Sequence, residues 1–256
     1  MRTHARLLVA GVLVPALGFG LLAAGDSPGP PVLPETALAV VVKEAVKNIE
    51  KPADKMTAKR IRANAFMVAV AAQDAMLNKG ADARRLATLR DAAIRLAKAA
   101  AGKRVNQAEA KKEAAVLASF PNIEPAADAK TDPVDLKDEF ELADVMRVFD
   151  KANKGGQGVE LQLVILQQQK RPYTPKQMAD FETSAYKTAM IAALSRGQDE
   201  KATTKADKKQ WQQWSDNMQK LSLELLQASG ARDSKHFKVT LRKLSDSCAS
   251  CHEKFK

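Results

Sequence analysis

Cys248-Ala249-Ser250-Cys251-His252 are the residues of this chain whose types and spacing could do chemistry. C-x-x-C-H is the attachment signature of a c-type haem. Each cysteine sulfur can add to a haem vinyl group as a thioether, and the adjacent histidine can then reach the iron. The spacing has a physical cause, because helical positions three apart lie on one face. Cys248 and Cys251 can therefore meet two vinyls of one porphyrin edge, with His252 beneath the ring as an axial ligand. Imidazole suits iron, and axial ligation sets the chemistry of a haem. These are the only two cysteines of the chain, so the expectation is one haem c per chain.

Two plainer chemistries compete for the same residues. A redox dithiol or disulfide normally sits near a βαβ pattern, and none is visible. Half a zinc site would need further ligands to complete four, and outside the leader only His236 is left to offer one. On a helix, sixteen residues place His236 roughly 24 Å from His252 and about 160° round the axis. It cannot complete such a site.

The elements that position this motif begin with a leader. Met1-Arg2-Thr3-His4-Ala5-Arg6 is a basic n-region, and Leu7 to Ala24 is apolar, interrupted by Pro15 and ending in small residues. This reads as a signal peptide over residues 1–24, with a retained membrane anchor as the alternative because eighteen apolar residues are about enough to span. Residues 25–34 carry several prolines and read as an extended tether. Export would place the protein in the periplasm, outside the cytoplasm, where cytochromes of the c type are matured.

The rest reads as all-α. Aromatics are sparse, Ala, Lys, Leu and Gln are plentiful, and no segment alternates like a strand. The punctuation predicts helices over 35–50, 54–78, 82–101, 106–119, 133–152, 174–196, 204–229 and 233–255. Asp132-Pro133 and Thr174-Pro175 each place a capping side chain before a proline at the first helical position, and Thr174 with Gln177 makes a capping box. Residues 153–173 form an irregular insertion, opened by Lys154-Gly155-Gly156-Gln157-Gly158 and holding a short helix at 159–169.

Eight helices over this length predict two tandem four-helix bundles, residues 35–126 and 127–256, with the break at Pro121 to Pro133. A faint internal repeat supports the split. Asp91 to Leu96 parallels Asp216 to Leu221, and Phe66 to Ala69 parallels Ala189 to Ala192. With Leu117 laid on Leu244, Cys248, Cys251 and His252 fall on Pro121, Glu124 and Pro125. The first bundle then reads as a haem-less copy. In the last helix Phe237, Leu241, Leu244, Cys248, Cys251 and Phe255 step by four and three, an apolar seam of the bundle type. The cysteines thus belong to the face that looks into the bundle.

This tail, Cys248-x-x-Cys251-His252-x-x-Phe255-Lys256 at the end of a bundle's last helix, resembles the cytochrome c′ family. The resemblance covers residues 133–256 well and 35–126 weakly. It implies a four-helix bundle, covalent haem on Cys248 and Cys251, His252 as proximal iron ligand, and Lys256 in the family's basic proximal position. It also implies a distal face covered from the first helix of the haem domain, and pairing into a homodimer through first helices. On the predicted helix 133–152, Leu142, Met146 and Phe149 share a face. Met146 supplies the thioether there, a soft candidate for the sixth iron position, and its plain reading is a core residue filling a gap. Met178, Met190 and Met218 read as core, and Trp211, Trp214, Tyr173 and Tyr186 as packing.

The chain is basic, at +11 overall and +9 without residues 1–24. Most of the excess lies in residues 35–126, at +7 against +3 for 127–256. Such a field could steer an acidic redox partner or meet an anionic membrane, while a solvated lysine-rich surface is the plainer account. Nucleic acid fits poorly, with so few aromatics to stack on bases. There is no nucleophile–base pair and no phosphate loop, so the sequence does not read as an enzyme. The readings are a periplasmic electron carrier, a small-gas binding protein for NO or CO, and an interaction module with a structural haem.

Overall fold

The computed structural model describes residues 33–50, 57–102 and 104–255. The leader, all of the tether before Leu33, and Lys256 lie outside these residues, so the expectations placed on them are not addressed here. The described residues are helical and turn structure with no strand. Nine helices run in the order α1 (Glu35–Ile49), α2 (Thr57–Ala75), α3 (Ala83–Ala99), α4 (Gln107–Ala118), α5 (Leu142–Arg147), α6 (Val159–Gln167), α7 (Pro175–Ser195), α8 (Lys205–Gly230) and α9 (Ser234–Phe255).

Local chemistry sets most helix starts. Asp82 accepts from the amide of Arg85 at 3.0 Å, Asn106 from Glu109 at 3.3 Å, and Thr204 from Asp207 at 3.1 Å. Each satisfies one of the orphan donors of a first turn. The expected box at Thr174 and Gln177 is present, with Pro175 opening α7.

Helices α1 to α4 close into an antiparallel bundle, each packed on the next and α4 returning to α1. Helices α7, α8 and α9 form three sides of a second bundle, and α6 supplies the fourth by packing on α7 and α9. The segment expected to be an insertion is therefore a wall of this bundle. The helix expected over 133–152 is mostly absent, and only α5 forms within it. The reason is that side chains of the first bundle take the backbone groups a helix would need. Arg90 donates to the carbonyls of Lys130 (2.7 Å) and Asp132 (2.8 Å). Gln73 takes both polar backbone groups of Val134, at 2.9 Å to its amide and 3.1 Å to its carbonyl. A backbone satisfied in this way has nothing to gain from helix formation.

The two bundles do not keep separate cores. Their buried apolar side chains form one contiguous cluster. Every residue of α2 from Ala63 to Ala72 is buried, and so is the run Lys187 to Ala192 of α7. A helix apolar on all sides belongs in an interior: α2 packs on α1 and α3 within its bundle, and on α5 and α7 outside it. Lys187 of α7 is buried across this junction and pairs with Glu44 of α1. Burial pushes the Lys187 amine down, opposed by the Glu44 carboxylate. Arg62 of α2 holds Asp144 of α5, with its Nε at 2.9 Å.

Candidate functional site

Helix α9 is amphipathic, and its seam behaves as the spacing predicts. Phe237, Leu241 and Leu244 are at most 1 % exposed. Cys248 continues the seam, half-buried and packed against the core cluster. Cys251 is half-buried one turn on, and the two thiols are free, not joined as a disulfide. Burial pushes the Cys248 thiol up to about 12, with smaller contributions from Cys251 and from Glu160 of α6. Burial raises Cys251 as well. Both sulfurs are therefore neutral near pH 7, as a thioether sulfur must be, and poor candidates for thiolate metal ligands.

His252 is exposed and has no hydrogen-bond or ion-pair partner among the described residues. Its ring nitrogens are free to bind iron. Among the described residues no group of three or more His, Cys, Asp and Glu side chains could hold a metal ion, which leaves the half-zinc reading without its other half. His236 is an exposed residue in the first turn of α9, its amide donating to Asp233 at 2.9 Å. Two neutral thiols on one helical face and an adjacent uncommitted imidazole fit a covalently held haem. Cys248 and Cys251 would carry it, and His252 would ligate its iron.

The last turn of α9 is fastened to the start of α8. Phe255 lies edge-on to both Trp211 and Trp214, with ring centroids 5.2 and 5.5 Å apart. The Trp211 indole donates to the carbonyl of Ser195 at 2.6 Å, which fixes the ring to the end of α7. Lys254 donates to Gln210 and pairs with Asp207, each at 2.6 Å. Sequence reasoning assigned the two tryptophans no role. The signal that could have found them is their i, i+3 spacing on α8 opposite a terminal aromatic on α9.

The other flank of the motif is α6. Ser245 donates to Gln167 at 3.0 Å, and Glu160 is near enough to act on the Cys248 thiol. The helix Val-Glu-Leu-Gln-Leu-Val-Ile-Leu-Gln holds Val159 and Leu163 buried, while Leu161, Val164 and Ile165 are exposed. Met146 lies on α5, which packs on α2 and α7, whereas α9 packs on α8, α6 and α7. It is half-buried against the core cluster together with Phe149. The structure thus brings Cys248, Cys251, His252 and Phe255 onto one helix end and leaves Met146 on a different element. The register argument for Met146 is corrected, because the long first helix it relied on does not form. Met178 and Met190 are core residues at 1 % exposure, as expected, and Met218 packs against the core.

Residues 160–256 match the family model described as Cytochrome C′, a span that opens on α6 and runs through α9. No curated protein and no solved structure gives a significant match.

Proposed function

We propose that this chain, its C-terminal region being a cytochrome c′ sequence and hence that of a haem-binding c-type cytochrome, is an exported carrier of single electrons. One haem c on Cys248 and Cys251 supplies the one-electron chemistry when bound. The protein supplies attachment, orientation and access. The observation that supports the reading is the position of the motif: Cys251 and His252 occupy the last turns of α9, half-buried and exposed, so a partner could approach the attachment end of the molecule. Phe255 and Lys254 hold that end rigid against α8 while leaving His252 uncommitted.

A redox titration followed optically tests this, with a reversible single-electron couple and exchange with a second cytochrome as the expected outcome. Slow or irreversible exchange would refute a carrier role.

A specific observation favours a second reading, small-gas binding. The helix beside α9 is α6, and it carries no Met, His, Lys or Cys to complete the iron from the side opposite His252. With only aliphatic and amide side chains there, a sixth position would stay open to CO or NO. Rapid CO binding to the reduced protein, unchanged in Met146→Leu, supports this reading. A low-spin ferric spectrum that turns high-spin in Met146→Leu would instead make Met146 a ligand.

A further inference from the structure

The segment 148–158, between α5 and α6, is glycine-rich but far from slack. It closes on itself through Gln157 N to Val148 O (2.9 Å), Gly158 N to Asp150 O (2.7 Å) and Glu160 N to Phe149 O (3.1 Å). The last of these bonds belongs to the first turn of α6. Gly156 has no room for a side chain, since a Cβ there would lie 2.1 Å from Asp150 O and 2.3 Å from Arg147 O. Gly155 has φ +96°, and a Cβ there would stand 3.2 Å from that of Arg60 in α2. Both glycines are buried.

What they are buried against is the first bundle. Asn64 of α2, fully buried, donates to Gly155 O at 3.3 Å and to Arg60 O at 2.8 Å. Its own carbonyl oxygen accepts from Gln157 at 3.1 Å and from Asn48 of α1 at 3.3 Å. Asn48 also donates to Gly156 O at 3.4 Å. One amide therefore satisfies both of its donors and both acceptor positions across two helices and the loop. Such a network is rigid when complete and costly when one member is removed, because the partners are left buried and unpaired.

The geometry points to Asn64 as a positioning residue: from the bundle that has no cysteine or histidine, it sets the placement of α6 beside the Cys248–His252 motif. The path is short and physical. Asn64 fixes Gly155 and Gln157, Gln157 and Gly158 fix the turn into α6, and α6 lies along α9 through Gln167 and Ser245. The first bundle then has a use that its composition does not reveal, holding the wall that flanks the haem. This rests on haem attachment at Cys248 and Cys251, which haem staining of the wild type on a denaturing gel reports separately.

The test uses the full haem-loaded protein as wild type, Asn64→Ala, Gln157→Ala and Thr88→Val. Thr88 is a buried control in the same bundle, bonded to Arg84 O and Ala126 N at 2.9 Å each and not to the loop. Hydrogen–deuterium exchange over residues 155–167 and the CO affinity of the reduced protein are read for each. The expected result is faster exchange in both loop variants together with a CO affinity shifted by roughly threefold or more. Thr88→Val should lower the melting temperature and leave both readouts in place. Gln157 is only half-buried, so its variant keeps the test available if Asn64→Ala does not fold. Faster exchange with an unaltered CO affinity and haem spectrum would overturn the proposal, as would an equal shift in Thr88→Val.

Discussion

The last helices of the two bundles, α4 and α9, make the most instructive comparison in the molecule. Each is anchored by one fully buried leucine, Leu117 in α4 and Leu244 in α9. After Leu117 the helix lasts one residue and gives way to a turn before Pro121, which disfavours helical backbone at Phe120. After Leu244 the helix continues for three more turns, to Phe255. Those turns carry both thiols, the imidazole and the aromatic that locks onto Trp211 and Trp214. Two bundles with similar buried faces thus differ in chemistry because of where one helix stops. Much of the first bundle's outer surface is spent on structure instead: Gln73, Arg84 and Arg90 strap residues 126–134 down.

The sharpest test of that difference is the double variant Cys248→Ala/Cys251→Ala. It should lose all covalent haem on a denaturing gel, with iron analysis of the wild type giving one haem per chain. Retained stain, or a second haem, would mean that the first bundle is not chemically silent. Next in size is the junction. Glu44→Ala leaves Lys187 buried and unpaired, and should cost about 2 kcal/mol in denaturant unfolding, less than for a fully enclosed pair because Glu44 is partly exposed. Lys187→Met, which removes the buried charge altogether, should be close to neutral. If both cost the same, the pair is not what joins the bundles. Phe255→Ala should cost about 2 kcal/mol through two lost edge contacts and raise hydrogen exchange over the last turn of α9. No change there would show that α9 needs no fastening.

The smallest expected effect lies in the first bundle. Burial raises the Asp74 carboxyl from 3.8 to about 7. Its ionised form is disfavoured only in the folded chain. Stability should therefore fall as pH rises from about 4 to 7 and level off above that. Asp74→Asn should flatten this decline and raise the melting temperature at pH 8. The second bundle has no counterpart among its described carboxylates.

The sequence was most readable where local chemistry decides the outcome. Capped helices, the box at Thr174 and the apolar seam of α9 were all visible, because each depends on residues within a turn or two of one another. The motif Cys248 to His252 was visible for the same reason. What was not visible depended on distant partners. Residues 133–141 look helical until Gln73 and Arg90, at least forty positions away, take their backbone groups. Val159 to Gln167 looks like part of a loop until α7 and α9 are there to cover it. Met146 was placed beside the haem by the periodicity of a helix that does not form. The alanines of α2 read as the face of one bundle, and only packing against α5 and α7 shows them enclosed from both sides.

That enclosure of α2 bears on how such a chain can change over time. A bundle with a polar outer surface can be gained, lost or exchanged whole, since its neighbours lose nothing when it goes. Here removal of either half would bare the alanine- and valine-rich flank of α2 or its counterpart on α7, a surface with too few charged groups to face water. The two halves are therefore inherited together. A gene that kept the haem-bearing end and discarded the rest would first have to rewrite α7, residue by residue, before the cut could be tolerated.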